Sequence, residues 1–482
     1  MPEVSVDLDS IESGTSLWQD AWHRLRSNHL ALGGLIFFTF AAVMCFSAPL
    51  ISIITGQSYE AQVLENANLS LQSYLADRRN MFARFVELGF PRGQEEAWKY
   101  TSLRRLQARR FELPDPDEAV GRNRPTVAPL ADHQLVLIDG HPVTDSSRQS
   151  LPEGLRMRTL AQASSDGEGL ASLLRIPEGG GTERFAALNA ALCPEALLIE
   201  IEPGAQVEQS LHIVLATSGQ GTRMSHPRIL LRAGKGSLAR IVLHHTGDGD
   251  VERFVNAYLD VEVGADALLH VYRLMTPGEH AFHIERVDAT IAQRGNFLMH
   301  DAQLGGSMAR LDLNARLAAP GAAAELTGLF MADGSRHFDT QVRADHLAPD
   351  TRSLQDYRGI AAGRGRAVFN SKALVHPGAQ KSNARQVSRN LLLSKGAEID
   401  TKPELEIYAD DVQCSHGATT GQLDKAALFY LRTRGLSENE ARSALTRAFA
   451  GAVLSRMDDD AFAGLVHREL DARLEQLLDE PL

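Results

Sequence analysis

Short stretches of alternating hydrophobic and polar residues fill the middle of the chain, from about residue 197 to residue 412. They include LLIEIE, SLHIVLA, RILLRA, LARIVLHH, AYLDVEV, LLHVYRL and RVDATIA, with turn-forming residues between them. This alternation is typical of β-strands. Glycines recur in the region at nearly even intervals, the last of them a little shorter, at Gly204, Gly234, Gly264, Gly295 and Gly321. Such a period, with two or three short strands per repeat, indicates stacked coils, so we predict a right-handed parallel β-helix or a closely related β-solenoid.

Helical periodicity appears on both sides of this region. Apolar residues recur at three- and four-residue steps from Tyr59 to about Gly89, which predicts one or two amphipathic helices. Near the other end, a helix that ends at Gly435 is followed by a capping box, Ser437 with Glu440, and by two further apolar stripes. We therefore predict an α+β protein with a helical and mixed part over 58–184, a β-helix core over 185–418 and a C-terminal helical domain over 419–482.

The segment before residue 58 has a different character. No charged residue occurs from Leu30 to Ile54, and this run is long enough to span a bilayer, which predicts a hydrophobic transmembrane helix. Arg24 and Arg26 precede this run, so the positive-inside rule places the N-terminus in the cytoplasm. The chain from residue 58 onward would then lie outside the cytoplasm. The segment SLWQDAWHRLRSNHLALGGL and the APLI at 48–51 resemble the N-terminal segment of oligopeptide-type ABC transporter permeases. We interpret residues 1–57 as a fusion or gene-model artefact, with a membrane tether of inverted orientation as the alternative.

The composition of the chain argues against several classes of function. The net charge of −12 argues against a nucleic-acid-binding protein, which needs a basic face for the phosphates. The three cysteines, at 45, 193 and 414, form no disulfide framework and fit a reducing compartment, which predicts a cytoplasmic location. The RGIAAGRGR stretch at 358–366 lacks the Lys-Ser/Thr of a phosphate-binding loop, so we expect no nucleotide site.

Cys414 and His416 are the candidate functional residues. In a strand, side chains at i and i+2 point to the same face, so the thiol and the imidazole would share one side with their backbones about 6.5 Å apart. They are two ligands, whereas a closed structural zinc site needs four. Three interpretations stay open: half of a metal site completed by a partner, a thiol nucleophile with its base, or packing. The histidines at 244, 245, 270, 280, 283 and 300 show no metal-ligand spacing, and we expect surface or hydrogen-bonded roles for them.

The run ARQVSRNLLLSKGAEIDTKPELEIYADDVQCSHGATTGQLDKAALFYLRTRGL, from Ala384 to Leu436, resembles the core signature of the SufB/SufD family of iron–sulfur cluster assembly proteins. The stretches EEAWKYTSL, around Trp98, and FAALNAAL, from Phe185, also resemble that family, so the likeness covers roughly residues 60–482. The SufD type fits better than the SufB type, which is expected to carry additional cysteines in its core.

The resemblance implies a scaffold subunit that is not an enzyme and that acts in the SUF system. Its implied partners are a SufB-type paralogue, bound through the β-helix, and the ABC-type ATPase SufC, bound through the C-terminal helices. It implies a transient iron–sulfur cluster at the interface with the SufB-type subunit, with His416 as this chain's contribution and Cys414 beside it, and no nucleotide of its own. The alternative from the residues alone is a thiol-dependent transferase or hydrolase that uses Cys414 and His416. Membrane contact would run through residues 30–54.

Overall fold

A computed structural model describes residues 71–114, 130–131, 133–143, 151–165, 173–174, 176, 181–218, 221–247 and 251–479. The predicted membrane-spanning helix at 30–54 lies outside these residues. Within them, no helix combines the length and the apolar character needed to cross a membrane.

Most of the described chain forms strands. They are β1 His133–Ile138, β2 His141–Pro142, β3 Leu155–Thr159, β4 Ala196–Ile201, β5 Leu211–Thr217, β6 Arg223–Ser225, β7 Arg228–Ala233, β8 Leu238–Gly247, β9 Arg253–Val263, β10 Leu268–Thr276, β11 Ala281–Ile291, β12 Asn296–Gln303, β13 Met308–Leu317, β14 Ala323–Ala332, β15 His337–His346, β16 Arg352–Ala361, β17 Arg366–Val375, β18 Asn383–Leu392, β19 Glu398–Ile407 and β20 Gln413–Gly421.

Helices lie before, between and after the strands. They are α1 Leu71–Leu88, α2 Arg104–Gln107, α3 Leu160–Ser165, α4 Glu183–Leu192, α5 Lys425–Thr433, α6 Glu438–Leu454 and α7 Asp460–Asp479, with a short 3-10 turn at Glu96–Trp98. The three C-terminal helices are those that the apolar stripes predict. The predicted capping box at Ser437 and Glu440 is formed, and Gly435 has the positive φ of 100° expected just past the end of a helix.

The strands form two sheets that the chain visits in turn. The first sheet has the order β2-β1-β5-β8-β10-β12-β14-β16-β18-β20, and the second β19-β17-β15-β13-β11-β9-β7-β4-β3, with β6 beside β9. From β9 onward, each strand pairs in parallel with the strand two positions earlier. Leu238, Leu268 and Asn296 lie side by side, so one turn of the stack takes up nearly the same length of chain as one glycine interval. This is a β-solenoid, as the period predicts.

The two sheets enclose an apolar interior. Alternate residues of each strand point inward, and in most turns they are Leu, Ile, Val, Ala or Phe, all buried. A column of glycines makes the close stacking of the turns possible at one corner. A Cβ atom on Gly234 would lie 2.6 Å from the Pro203 nitrogen, and one on Gly264 would lie 2.6 Å from the Ala233 oxygen. At Gly234, Gly264 and Gly295 the predicted glycine period therefore marks where backbones of successive turns touch, whereas Gly204 has open space around it.

Helices cover the outer faces of both sheets. Phe185 and Leu188 of α4 pack with Trp98 against Phe254 and Phe282 on the second sheet. Trp98 is 1% exposed, its indole donates to the Gly181 carbonyl, and the Arg310 guanidinium lies 4.1 Å from its ring, so the residue serves packing.

On the first sheet, α6 and α7 lie along the outer face. Their apolar residues contact Tyr272, Leu274, Leu329 and Ile360, so these two helices run beside the strands and leave the end of the solenoid uncovered.

Gly264→Ala tests the corner column. The added methyl group would overlap the Ala233 carbonyl and the backbone of Gly234 and Lys235, which belong to the preceding turn and cannot rotate away. We expect a loss of about 1–3 kcal/mol in the free energy of unfolding, measured as a lower urea midpoint. The matched control is Gly378→Ala, where no atom lies within 4 Å of the new methyl group, and its midpoint should not fall. Equal midpoints for both variants would contradict the close stacking.

Candidate functional site

The two ends of the solenoid differ. At the first end, antiparallel pairs finish the sheets, β2 with β1 and β3 with β4. At the other end, β20 pairs with β18 and β19 pairs with β17, and neither has a second neighbour among the described strands. Their outward backbone N–H and C=O groups are therefore free to bond another chain.

Cys414 and His416 lie on β20, in this last turn. The register places Cys414 beside Ala384 and His416 beside Gln386, both of which are buried and point into the solenoid. Both side chains thus belong to the inner face of the final strand, as the alternation predicts, with Ser415 on the outer face. Because no described strand follows β20 in its sheet, this inner face is open to solvent.

The environments of the two side chains differ. His416 is exposed, whereas Cys414 is half-buried against a small apolar cluster of Val375, Ala379, Ala409 and Val412. Burial raises the pKa of the Cys414 thiol, and a hydrogen bond with the Ala384 backbone offsets this only in part. Across the described residues, no hydrogen bond joins Cys414 to His416. The thiol therefore stays protonated near neutral pH, and the imidazole is available to an incoming ligand.

A column of polar side chains leads from the interior to His416. Gln355 and Gln386 occupy the same register position on the two preceding turns of the first sheet. Their amides donate to the carbonyls of Lys372 and Glu404, at 3.0 and 3.2 Å, while neither amide oxygen has a partner in the described structure. Beside the open end, the interior of the first sheet is thus lined by polar side chains.

The sequence contains a signal for this change that the alternation rule overlooks. In the β18 segment NARQVSRNLL, the inward positions carry Gln386, Ser388 and Asn390, and the outward positions are also largely polar. Asn390 donates to Thr401 at 2.8 Å and to Thr420 at 3.4 Å, which connects the last strands of the two sheets. A strand that is polar on both faces marks the point where the apolar interior stops.

The other histidines have individual roles. His244 and His300 are buried on the outer face of the first sheet and bond to Thr276 and Thr327, and burial lowers their pKa values to about 3 and about 4. His280 is exposed. His283 is buried beside an acidic side chain, 2.8 Å from Glu285.

Arg358, in the glycine-rich stretch, donates to the Phe449 carbonyl of α6 at 2.8 Å, which is a packing contact.

Comparison with known proteins gives three family matches. Residues 214–449 match the SufBD core domain of the SUF system of iron–sulfur cluster assembly, and residues 58–213 match the SufBD protein N-terminal region. Residues 16–72 match the N-terminal transmembrane domain of oligopeptide transport permease C. The match at 16–72 overlaps the beginning of the match at 58–213 and covers the predicted hydrophobic helix at 30–54.

Individual relatives agree with the two longer matches. The chain is 29% identical over 395 residues to the iron–sulfur cluster assembly protein SufD of Escherichia coli, covering 81% of this chain and 91% of that protein. It is 27% identical over 395 residues to a SufBD family protein of Mycobacterium leprae, covering 79% and 90%. It is 29% identical over 418 residues to a SufBD family protein of Synechocystis, covering 83% and 91%.

The reactivity of Cys414 follows from its surroundings. With its pKa raised by burial, the thiol should react with iodoacetamide more slowly than a small free thiol at pH 7, and its rate should still be rising at the pH where that of the free thiol levels off. Mass spectrometry of the peptide that contains Cys414 gives the rate. The control is His416→Ala, which should leave the pH profile unchanged. A fast reaction below pH 7 that disappears in His416→Ala would instead reveal an activated thiol.

Proposed function

Because the chain belongs to the SufB/SufD family of iron–sulfur cluster assembly proteins, we propose that it is a SufD-type scaffold subunit with no enzymatic activity of its own. It would act in the cytoplasm with a SufB-type paralogue and a SufC-type ATPase. The observation that carries this proposal is the uncovered last turn of the solenoid, where His416 is exposed on a strand with an unpaired edge.

The uncovered turn supports a solenoid partner. A strand of the partner can extend each sheet by bonding to the edges of β19 and β20, and the inner face of β20 then becomes the inside of a joined structure. A SufB-type subunit, expected to have the same architecture, offers matching strands. His416, exposed in the single chain, would be enclosed at the junction.

The chemistry of the two side chains suits iron and sulfide as substrates. An exposed imidazole can bind iron directly, while the Cys414 thiol must first lose a proton that burial makes it hold more tightly, as its raised pKa indicates. Iron bound by His416 would favour that loss, since a cation stabilises the thiolate. His416 would therefore bind iron first, and Cys414 would bind it only after losing its proton. Ligands from the partner subunit would complete the coordination of the iron.

The exposed helix α5 supports docking of the ATPase. Helices α6 and α7 use their apolar sides on the first sheet, whereas no residue of α5 is buried. Phe429 and Tyr430 are 71% and 56% exposed, and their helix directly follows the strand that carries His416. A helix-in-groove contact would cover them. Movement of a bound ATPase would thus be transmitted to the last turn of the solenoid by a short connection.

A thiol-dependent enzyme is the weaker candidate. A Cys–His nucleophile needs a hydrogen-bonded pair and a lowered thiol pKa. The pKa of Cys414 is raised, and within the described residues the pair shares no hydrogen bond. A membrane tether through residues 30–54 stays a prediction, which the permease-like match at 16–72 supports.

His416→Ala tests the shared site. The full chain is co-expressed with its SufB- and SufC-type partners and purified without oxygen, and bound iron and sulfide are measured. We expect the complex to form but its iron and sulfide to fall about tenfold or more, because an exposed ligand is lost without any packing contact.

The control for this experiment is His467→Ala, an exposed histidine of α7 that bonds only to its own helix. It should keep the wild-type cluster content. If His416→Ala binds as much iron as the wild-type chain, His416 is not part of the site. A chain that purifies without either partner would contradict the scaffold function itself.

Replacing Phe429 and Tyr430 together by Ser tests the docking helix. The fold should be unchanged because both side chains face solvent, while affinity for the isolated ATPase should fall about thirtyfold or more, as for an aromatic hot spot. Titration calorimetry measures the affinity. The matched control is Val86→Ser, an exposed apolar residue of α1, 51% exposed and far from α5 in the chain. Equal affinities for both variants would exclude α5 from the contact.

A further inference from the structure

A group of ionisable side chains lies inside the solenoid, away from its open end. His245 is the inward residue near the end of β8, and His283 and Glu285 are inward residues of β11. All three are buried. His283 Nε2 lies 2.8 Å and His245 Nε2 lies 3.3 Å from the same carboxylate oxygen, Glu285 Oε2. The ligand atoms of the three residues fall within 4.8 Å of one another. The group therefore joins the first sheet to the second across the interior.

Two further charges complete the cluster. Arg273 of β10 donates to Glu285 at 2.6 Å and to Asp301 of β12 at 2.5 Å. Gln303 donates to the other oxygen of Asp301 at 2.6 Å. Arg273 thus lies between two buried carboxyl groups, those of Glu285 and Asp301.

The histidines have free coordination capacity. Among the described residues, neither ring nitrogen of His245 has a hydrogen-bond partner, because its 3.3 Å contact with Glu285 lacks hydrogen-bond alignment. His283 Nδ1 also has none, while its Nε2 faces Glu285 Oε2 at 2.8 Å. A buried ring nitrogen without a partner is unfavourable, so a lone pair on such a nitrogen favours binding of a hydrogen-bond donor or a metal ion.

We propose that His245, His283 and Glu285 hold a divalent transition-metal ion, zinc or ferrous iron, inside the solenoid. Two imidazoles and one carboxylate form a ligand set that both ions accept. With bonds of about 2.0–2.1 Å, tetrahedral ligands lie roughly 3.3 Å apart, and the observed contacts of 2.8 and 3.3 Å are close to that spacing. The ion would take up the lone pair of His245 Nε2, which has no hydrogen-bond partner among the described residues.

This ion is distinct from the iron proposed at His416. In the first sheet, β8 and β20 are separated by β10, β12, β14, β16 and β18, so six strand spacings of about 4.8 Å put them roughly 29 Å apart. Because all three proposed ligands are buried, the interior ion would be bound as the turns close. It would tie the two sheets together and would not depend on any partner subunit.

Metal analysis of the full chain tests this inference. The purified protein is treated with a chelator while folded, and zinc and iron are measured before and after unfolding. We expect about one ion per chain to resist the chelator in the folded protein and to be released on unfolding. The identity of the released metal separates the two candidate ions. The same retention in His416→Ala would show that the ion does not belong to the open end.

His245→Gln should lose this ion, whereas His346→Gln should keep it. His346 is equally buried, but both of its ring nitrogens are bonded, to Thr351 and Ser353. Refolding the wild-type chain with Co²⁺ gives a readout that needs no variant, since a cobalt ion in a tetrahedral nitrogen and oxygen site absorbs visible light.

Two results would overturn the inference. One is a wild-type chain that releases no chelator-resistant metal and gives no visible cobalt band after refolding. The other is retention of the metal in His245→Gln at the wild-type level.

Discussion

The parallel ladder between successive turns is the constraint on which the rest of this structure depends. Each strand from β8 onward completes its backbone hydrogen bonds only with the turn before and the turn after, so the stack cannot end without leaving one set of bonds unmade. At the first end, antiparallel strands close the sheets. At the second end, β19 and β20 have no such closure among the described residues. The same rule that builds the solenoid therefore leaves an unpaired edge, and the residues proposed to bind iron lie on that edge.

The outer faces of the sheets impose a second demand, because their apolar residues must be covered. The second sheet is covered by α4 with Trp98 and its neighbours, and the first by α6 and α7. These helices are therefore occupied by structural contacts. Helix α5 connects the last strand to this layer and has no sheet left to cover, which leaves its aromatic residues in solvent. Its exposure follows from its place in the chain as much as from its composition.

Local patterns were enough to predict the architecture. The alternation of β4 to β11 and the glycine period indicated the solenoid, and the capping box at Ser437 indicated the start of α6. The shared face of Cys414 and His416 also followed from strand geometry. What local patterns could not show is which strand is a neighbour of which. The approach of His245 to His283 and Glu285, and the alignment of Gln355 with Gln386 and His416, depend on that register. An inward polar residue such as Arg273 in LLHVYRL looks like an outward one when no partner strand is known.

The interior ion cluster also bears on how a repetitive structure selects one register. Most inward positions are interchangeable aliphatic residues, so slipping one sheet by a whole turn would lose little packing. The cluster makes these alternative pairings of the two sheets unequal in free energy. The residues beside Glu285 on the neighbouring turns are Ala257 and Leu311, and either would leave Arg273 without its bond to Glu285 after a slip. A buried ion pair broken in this way costs about 3–5 kcal/mol. Charges that add little net stability therefore make one pairing of the two sheets preferable to its neighbours.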